Sequence, residues 1–376
     1  MRALNWSGVI VVLLVLPQIA LAAIRPSFGG DSEAWRSSDI VIVSTTATDG
    51  AFVVNEVWKG DLRPGTRVAV PELIPPVDAI RASAYPEFWK SLGEDWDSGR
   101  AEQIPRQPVG SQMVLFLKRK SSNSEEPEWE PGNLMGSMKA SAVWIDGGQL
   151  WSYVQLMNPG PSALQPMGST SLQQLKERIA TVLHTQNSIQ SVLEAQDGKR
   201  RAKLLKPFLH SDVRDAERLA FEELGKTGPT AVPTIREMLD DPVYANDTPG
   251  LIKAMVEAGG SVVGSDLNHR FQREVAFWKS VGPTLQVGWW NQDPNQNAPL
   301  RLRYSQLYQL IISLQQIRNK SALGPARELD ELWVSNPQLN DPSGLNQISL
   351  ECEKLIKISA RELKQPRPKR YSQAIR

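Results

Sequence analysis

The chain reads as a multidomain α+β protein, a small antiparallel β-barrel followed by an irregular α-solenoid of helical hairpins. Three observations carry that expectation. Short β-branched and aromatic runs separated by glycine turns fill the first half. A proline-, glycine- and serine-rich stretch follows near residue 160, and beyond it apolar residues recur at helical rather than strand spacing.

The N-terminus comes first in the chain and reads as an export signal. Arg2 precedes an apolar run over 8–16, Pro17 interrupts it, and Ala20 and Ala22 form the small-residue pattern of a signal peptidase site. The run is shorter than the roughly 20 residues that a bilayer span needs. The expectation is a signal peptide over 1–22, cleaved after Ala22, and an exported chain that is periplasmic or secreted. The single cysteine of the 376 residues, Cys352, lies far from the cut, so no lipid anchor and no internal disulfide are expected. Its surroundings, Ile348 to Ile356, have a helical pattern that half-buries the thiol.

A β-domain is expected over 33–158. Strands fall at 40–44, 51–58, 66–70, 112–117, 141–145 and 150–154; Lys59 to Gly65 turns the second into the third, and Asp146-Gly147-Gly148 joins the last two. An insertion over 71–108 carries Tyr85, Phe88, Trp89 and Trp96, with a short amphipathic helix at Glu87–Leu92. Asp95, Asp97 and Gly99 resemble the start of a calcium loop. Arg100 and Arg106 stand where a glycine and a bidentate glutamate belong, which excludes that site.

Residues 159–171 are expected to be an irregular linker, and 172–364 a helical domain. Leu172, Leu175, Ile179 and Val182 follow Ser171 as a cap. The hairpin from Ser211 to Pro242 is the clearest unit: Val213, Ala216, Ala220 and Leu224 share one helix face, and Val232, Ile235, Met238 and Leu239 share the next. Gly228-Pro229 separates them, with glycine left-handed at the helix end. The junction half-recurs at Leu323-Gly324-Pro325 and in degenerate form at Val281-Gly282-Pro283. The basic, proline-rich tail over 365–376 reads as disordered.

Two resemblances follow from these residues. The Ser211–Pro242 hairpin resembles short HEAT-type repeats, which implies a protein-binding surface. The segments around Ile40–Val43, Val57–Gly65 and Gly110–Leu117 resemble netrin- and metalloprotease-inhibitor-type domains, which implies an OB-like barrel. Inhibitors of that kind act through an N-terminal cysteine that this chain lacks, so only the fold is implied.

Composition narrows the chemistry. A net charge of +1 gives no pull toward nucleic acid, and a mean hydropathy of −0.32 with no other long apolar run implies no transmembrane segment after cleavage. There is no nucleophile elbow, His-Glu-x-x-His motif, P-loop or dinucleotide fingerprint. None of His184, His210 and His269 has a second ligand at metal spacing, so no metal and no cofactor are expected. His269 is the best remaining acid–base candidate. Twelve tryptophans stand out, and Trp289-Trp290 sits among amides in what reads as a loop, where indoles can stack on sugars or anchor a partner. The leading expectation is an exported, non-catalytic binding or scaffold protein. Its partner is a protein or polysaccharide, held through the solenoid surface and the aromatics Tyr85, Phe88, Trp89, Trp96, Trp289 and Trp290. The alternative is a hydrolase of cell-wall or extracellular polymer acting through carboxylates.

Overall fold

The structure is a computed structural model that describes residues 30–48, 50–70, 109–120, 129–131, 139–155, 162–286, 289, 294–339 and 347–364. It divides into two compact units, one of residues 1–187 with Val213–Asp215, the other of Ser188–Asp212 with Ala216–Arg376.

The first unit opens with helix α1 (Gly30–Arg36), whose first turn holds Asp31 and Glu33 and whose last turn holds Arg36, charges that complement the helix dipole. Strands β1 (Asp39–Thr45), β2 (Ala51–Lys59), β3 (Arg67–Ala69), β4 (Gln112–Arg119), β5 (Trp129–Pro131), β6 (Lys139–Asp146), β7 (Gln149–Gln155) and β8 (Ser162–Pro166) follow. They form one antiparallel sheet in the order β3-β2-β1-β4-β6-β7-β8, with β5 also paired to β4. The β6–β7 hairpin turns through Gly147 and Gly148, both with positive φ as a tight two-residue turn requires.

The expected barrel is not formed: the sheet is open, with β3 and β8 at the two ends of the strand order among the described residues. The reason lies in the central strands. Ile40, Val41, Ile42 and Val43 are all buried, as are Met113 to Leu117, so β1 and β4 are covered on both faces. Val41, Val43, Phe52, Val54, Met113, Leu115 and Trp144 pack into one core. On the opposite face Ile42 sits across from Glu56, and Glu56 pairs with Lys176 of helix α2 (Leu172–Leu193), which lies over that side. A helix on the second face makes an open, two-layer solution stable, as uninterrupted apolar strands indicate.

Lys59 ties the pieces together. Its ammonium donates to the Ala34 carbonyl at 2.9 Å and to Gln186 Oε1 at 3.1 Å, linking the end of α1 to α2, and burial lowers its pKa. The neighbouring Gly60, at φ +94°, brings its backbone against the buried Asp39 carboxylate, which accepts from the Asp61 amide at 3.2 Å. Ser162–Pro166 corrects the expected irregular linker: it is the end strand β8, a place where flanking prolines cost no ladder bonds. The 71–108 insertion, with its expected helix at 87–92, lies outside the described residues.

The second unit is helical: α3 (Gly198–Leu205), α4 (Arg214–Gly225), α5 (Val232–Asp240), α6 (Thr248–Gly259), α7 (Gly264–Val281), α8 (Pro294–Gln316), α9 (Leu323–Ser335) and α10 (Gln347–Lys364). Helices pack both on sequence neighbours (α5 on α6, α7 on α8, α9 on α10) and on the next but one (α3 on α5, α6 on α8, α7 on α9, α8 on α10). Two layers result. Across α5 and α7, Arg236 bonds Asp266 and Arg270 bonds Asp240, each at 2.6 Å. Between α7 and α9, Lys279 reaches Glu328 at 3.1 Å.

The Gly228 junction is as the sequence predicts: φ is +78°, a short 3-10 turn covers Pro229–Ala231, and α5 starts at Val232. Gly282-Pro283 likewise opens a 3-10 turn after α7. Gly324-Pro325 differs, because both lie in the first turn of α9, where a proline lacks no intrahelical partner. The chain reverses earlier, at Arg318 (φ +53°) and Asn319, whose Oδ1 accepts from the Ser321 amide at 2.9 Å. Cys352 is fully buried on α10, and burial pushes its thiol pKa far up. Among the described residues no helix is long and apolar enough to cross a membrane.

Candidate functional site

Helical spacing in the second unit gathers charged side chains around one cavity. On α7, Arg270, Arg273 and Glu274 fall three and four residues apart, and on α8 Arg303, Gln306 and Leu310 follow the same rule. Thr248 and Ile252 are one turn apart on α6, and Leu239 closes the end of α5. These nine residues line a cavity of about 220 Å³. Its lining combines three aliphatic side chains with three arginines.

Each arginine is held differently. Arg270 has a side chain only 15% exposed and is oriented by its bond to Asp240. Arg303 stacks its guanidinium over Phe277, 3.7 Å from the ring centroid, and lies 3.6 Å from the Glu274 carboxylate. Stacking and ion pairing together fix the plane of the fork. Arg273 is exposed and makes no hydrogen bond or ion pair shorter than 4 Å among the described residues.

Glu274 is the unusual member. Its side chain is 12% exposed, and Oε2 is buried without a hydrogen-bond partner. Burial raises its pKa, while Arg303 and Arg273 pull the other way. An unsatisfied buried carboxyl oxygen is costly, and a ligand bearing a donor or acceptor at that point would relieve it. Among the lining residues three arginines face one carboxylate, Glu274, and one of the three, Arg270, is paired with Asp240 outside the lining.

The residues expected to bind are placed elsewhere. Trp289, expected on an exposed loop, is 2% exposed and packs 6.1 Å from Trp278, which in turn meets Trp333 at 5.4 Å. It is part of an aromatic core, and its carbonyl accepts from Asn297 Nδ2 at 2.8 Å. Tyr85, Phe88, Trp89, Trp96 and Trp290 lie outside the described residues. His269 is exposed on α7 and does not line the cavity, although its neighbour Arg270 does. His210 sits 3.2 Å from Asp247 and against the Tyr244 ring at 4.9 Å, away from the arginines in sequence and lining. No group of three or more metal-ligating side chains that could hold an ion occurs among the described residues.

The arginine cavity itself was missed by motif reading, because no local motif spells it. Its only sequence signal is the i, i+3 spacing of Arg270 and Arg273 on α7. No family model, no curated protein and no solved structure matches the chain.

Proposed function

We propose that this is an exported, non-catalytic binding protein whose helical unit, a HEAT-like stack, takes an anionic group into the arginine cavity. The observation that supports it is the convergence of Arg270, Arg273 and Arg303 from two helices on one cavity that aliphatic side chains also line. Planar guanidinium forks bind carboxylate and phosphate oxygens in pairs, and apolar lining with a few placed polar groups is the common make-up of ligand sites. In a stack of helical pairs, successive repeats contribute side chains to one surface, so such a site forms without loops dedicated to it.

The test is native mass spectrometry of the full chain isolated from the exported fraction, beside the charge-reversed Arg273→Glu variant. A ligand adduct on the parent that the variant lacks is the expected result. An equal adduct on both, or recovery of the chain only from the cytoplasm, would refute the reading.

A further inference from the structure

We propose that the cavity between α5, α6, α7 and α8 recognises a small monocarboxylate with a short apolar chain. The inference rests on the reading of that cavity as a ligand site and narrows it to one chemical class.

Charge sets the first limit. With Arg270 already paired to Asp240 and Glu274 itself in the lining, the site suits a singly charged group and opposes a dianion such as a phosphate monoester. Arg273 makes no hydrogen bond or ion pair shorter than 4 Å among the described residues, so a ligand carboxylate at its fork competes only with the longer-range pull of Glu274. Arg303, fixed by Phe277, presents a second fork whose plane does not need to be ordered on binding.

Size and lining set the rest. A volume of about 220 Å³ is below the roughly 300 to 1,000 Å³ of sites that take drug-sized ligands. Leu239, Ile252 and Leu310 bring aliphatic surface from three different helices, where a short alkyl chain excludes water. Gln306 and Glu274 remain for a polar substituent near the carboxylate. Gln306 donates one of its two Nε2 hydrogens to the Ala245 carbonyl at 3.2 Å, which orients the amide.

Calorimetric titration of the full chain with pentanoate, with pentanol and with inorganic phosphate tests this. Pentanoate is expected to bind saturably with one site per chain, while pentanol and phosphate each bind at least about tenfold more weakly. Arg273→Ala, at an exposed position and with its melt compared with that of the parent, is expected to weaken pentanoate about tenfold or more, and Arg303→Lys to weaken it by keeping the charge without the fork. Equal binding of pentanol, tighter binding of phosphate, or undiminished pentanoate binding by Arg273→Ala would overturn the proposal. Should pentanoate fail while the Arg273-dependent adduct persists in native mass spectrometry, the carboxylate assignment falls and the anion-binding reading stands.

Discussion

Replacing Glu33 by glutamine should flatten the pH dependence of stability of the sheet unit. Glu33 is 1% exposed on α1, and both carboxyl oxygens are buried without a hydrogen-bond partner. Burial pushes its pKa from 4.5 to about 9, opposed by Arg36. The native state therefore keeps a proton that the unfolded chain releases. Stability tied to this group is fully present below pH 4.5, falls as the pH rises, and is lost once the pH passes about 9. At 1.36 kcal/mol per pH unit, the loss reaches about 3 kcal/mol at pH 7 and about 6 kcal/mol above pH 9. Glutamine has nearly the same shape and buries an amide that does not ionise. Urea denaturation of parent and Glu33→Gln at pH 5, 7 and 9, followed by circular dichroism, isolates the term as a difference between the two proteins. The variant should gain on the parent steadily with pH, by several kcal/mol overall. A difference constant to within about 0.5 kcal/mol across that range would refute the assignment of a buried, protonated carboxyl.

Three further outcomes follow from the packing. Gly60→Ala should destabilise more than Gly228→Ala: both force a side chain into a positive φ, costing about 1 to 3 kcal/mol, but only at Gly60 would the new Cβ fall 1.9 Å from Asp39 Oδ1. Chemical denaturation of the two variants checks the ranking, and equal losses would contradict it. Trp289→Ala should lower stability by about 3 to 5 kcal/mol as a core truncation, read as a shifted denaturation midpoint; an unshifted midpoint would return this indole to the surface. Cys352 should resist iodoacetamide in the folded protein and react on unfolding, because the thiol is buried and its ionisation suppressed; rapid native alkylation would contradict that burial.

What could be read from the chain beforehand was local. Strand alternation, the Gly147-Gly148 hairpin and the Gly228 helix end depend on neighbours in sequence, and all appear where those residues place them. Closure of the sheet depends on the pairing of its first and last strands, which periodicity does not encode. The unbroken run Ile40–Val43 did carry the relevant hint, since burial on both faces belongs to a covered sheet. Strand β5 and helix α1 are too short to generate a period, at three and seven residues. Trp289 sits beside polar amides, yet one turn of chain folds it onto Trp278, which itself packs on Trp333, contacts invisible until α7 and α9 are stacked. The cavity is non-local in the same sense. Arg270 and Arg273 mark a face of α7, and Arg303 and Gln306 mark a face of α8, but only the packing of these helices brings the two faces together.

The central claim is that these three arginines act as one ligand site, and the guanidinium Nε–H resonances report on it directly. With nitrogen-15-labelled arginine in the full chain and assignments from single Arg→Lys variants, pentanoate is titrated while Arg327, exposed on α9, serves as the control. The signals of Arg270, Arg273 and Arg303 should move together along one saturating curve while that of Arg327 stays still. Signals that do not move, or that drift linearly with the control, would contradict the site.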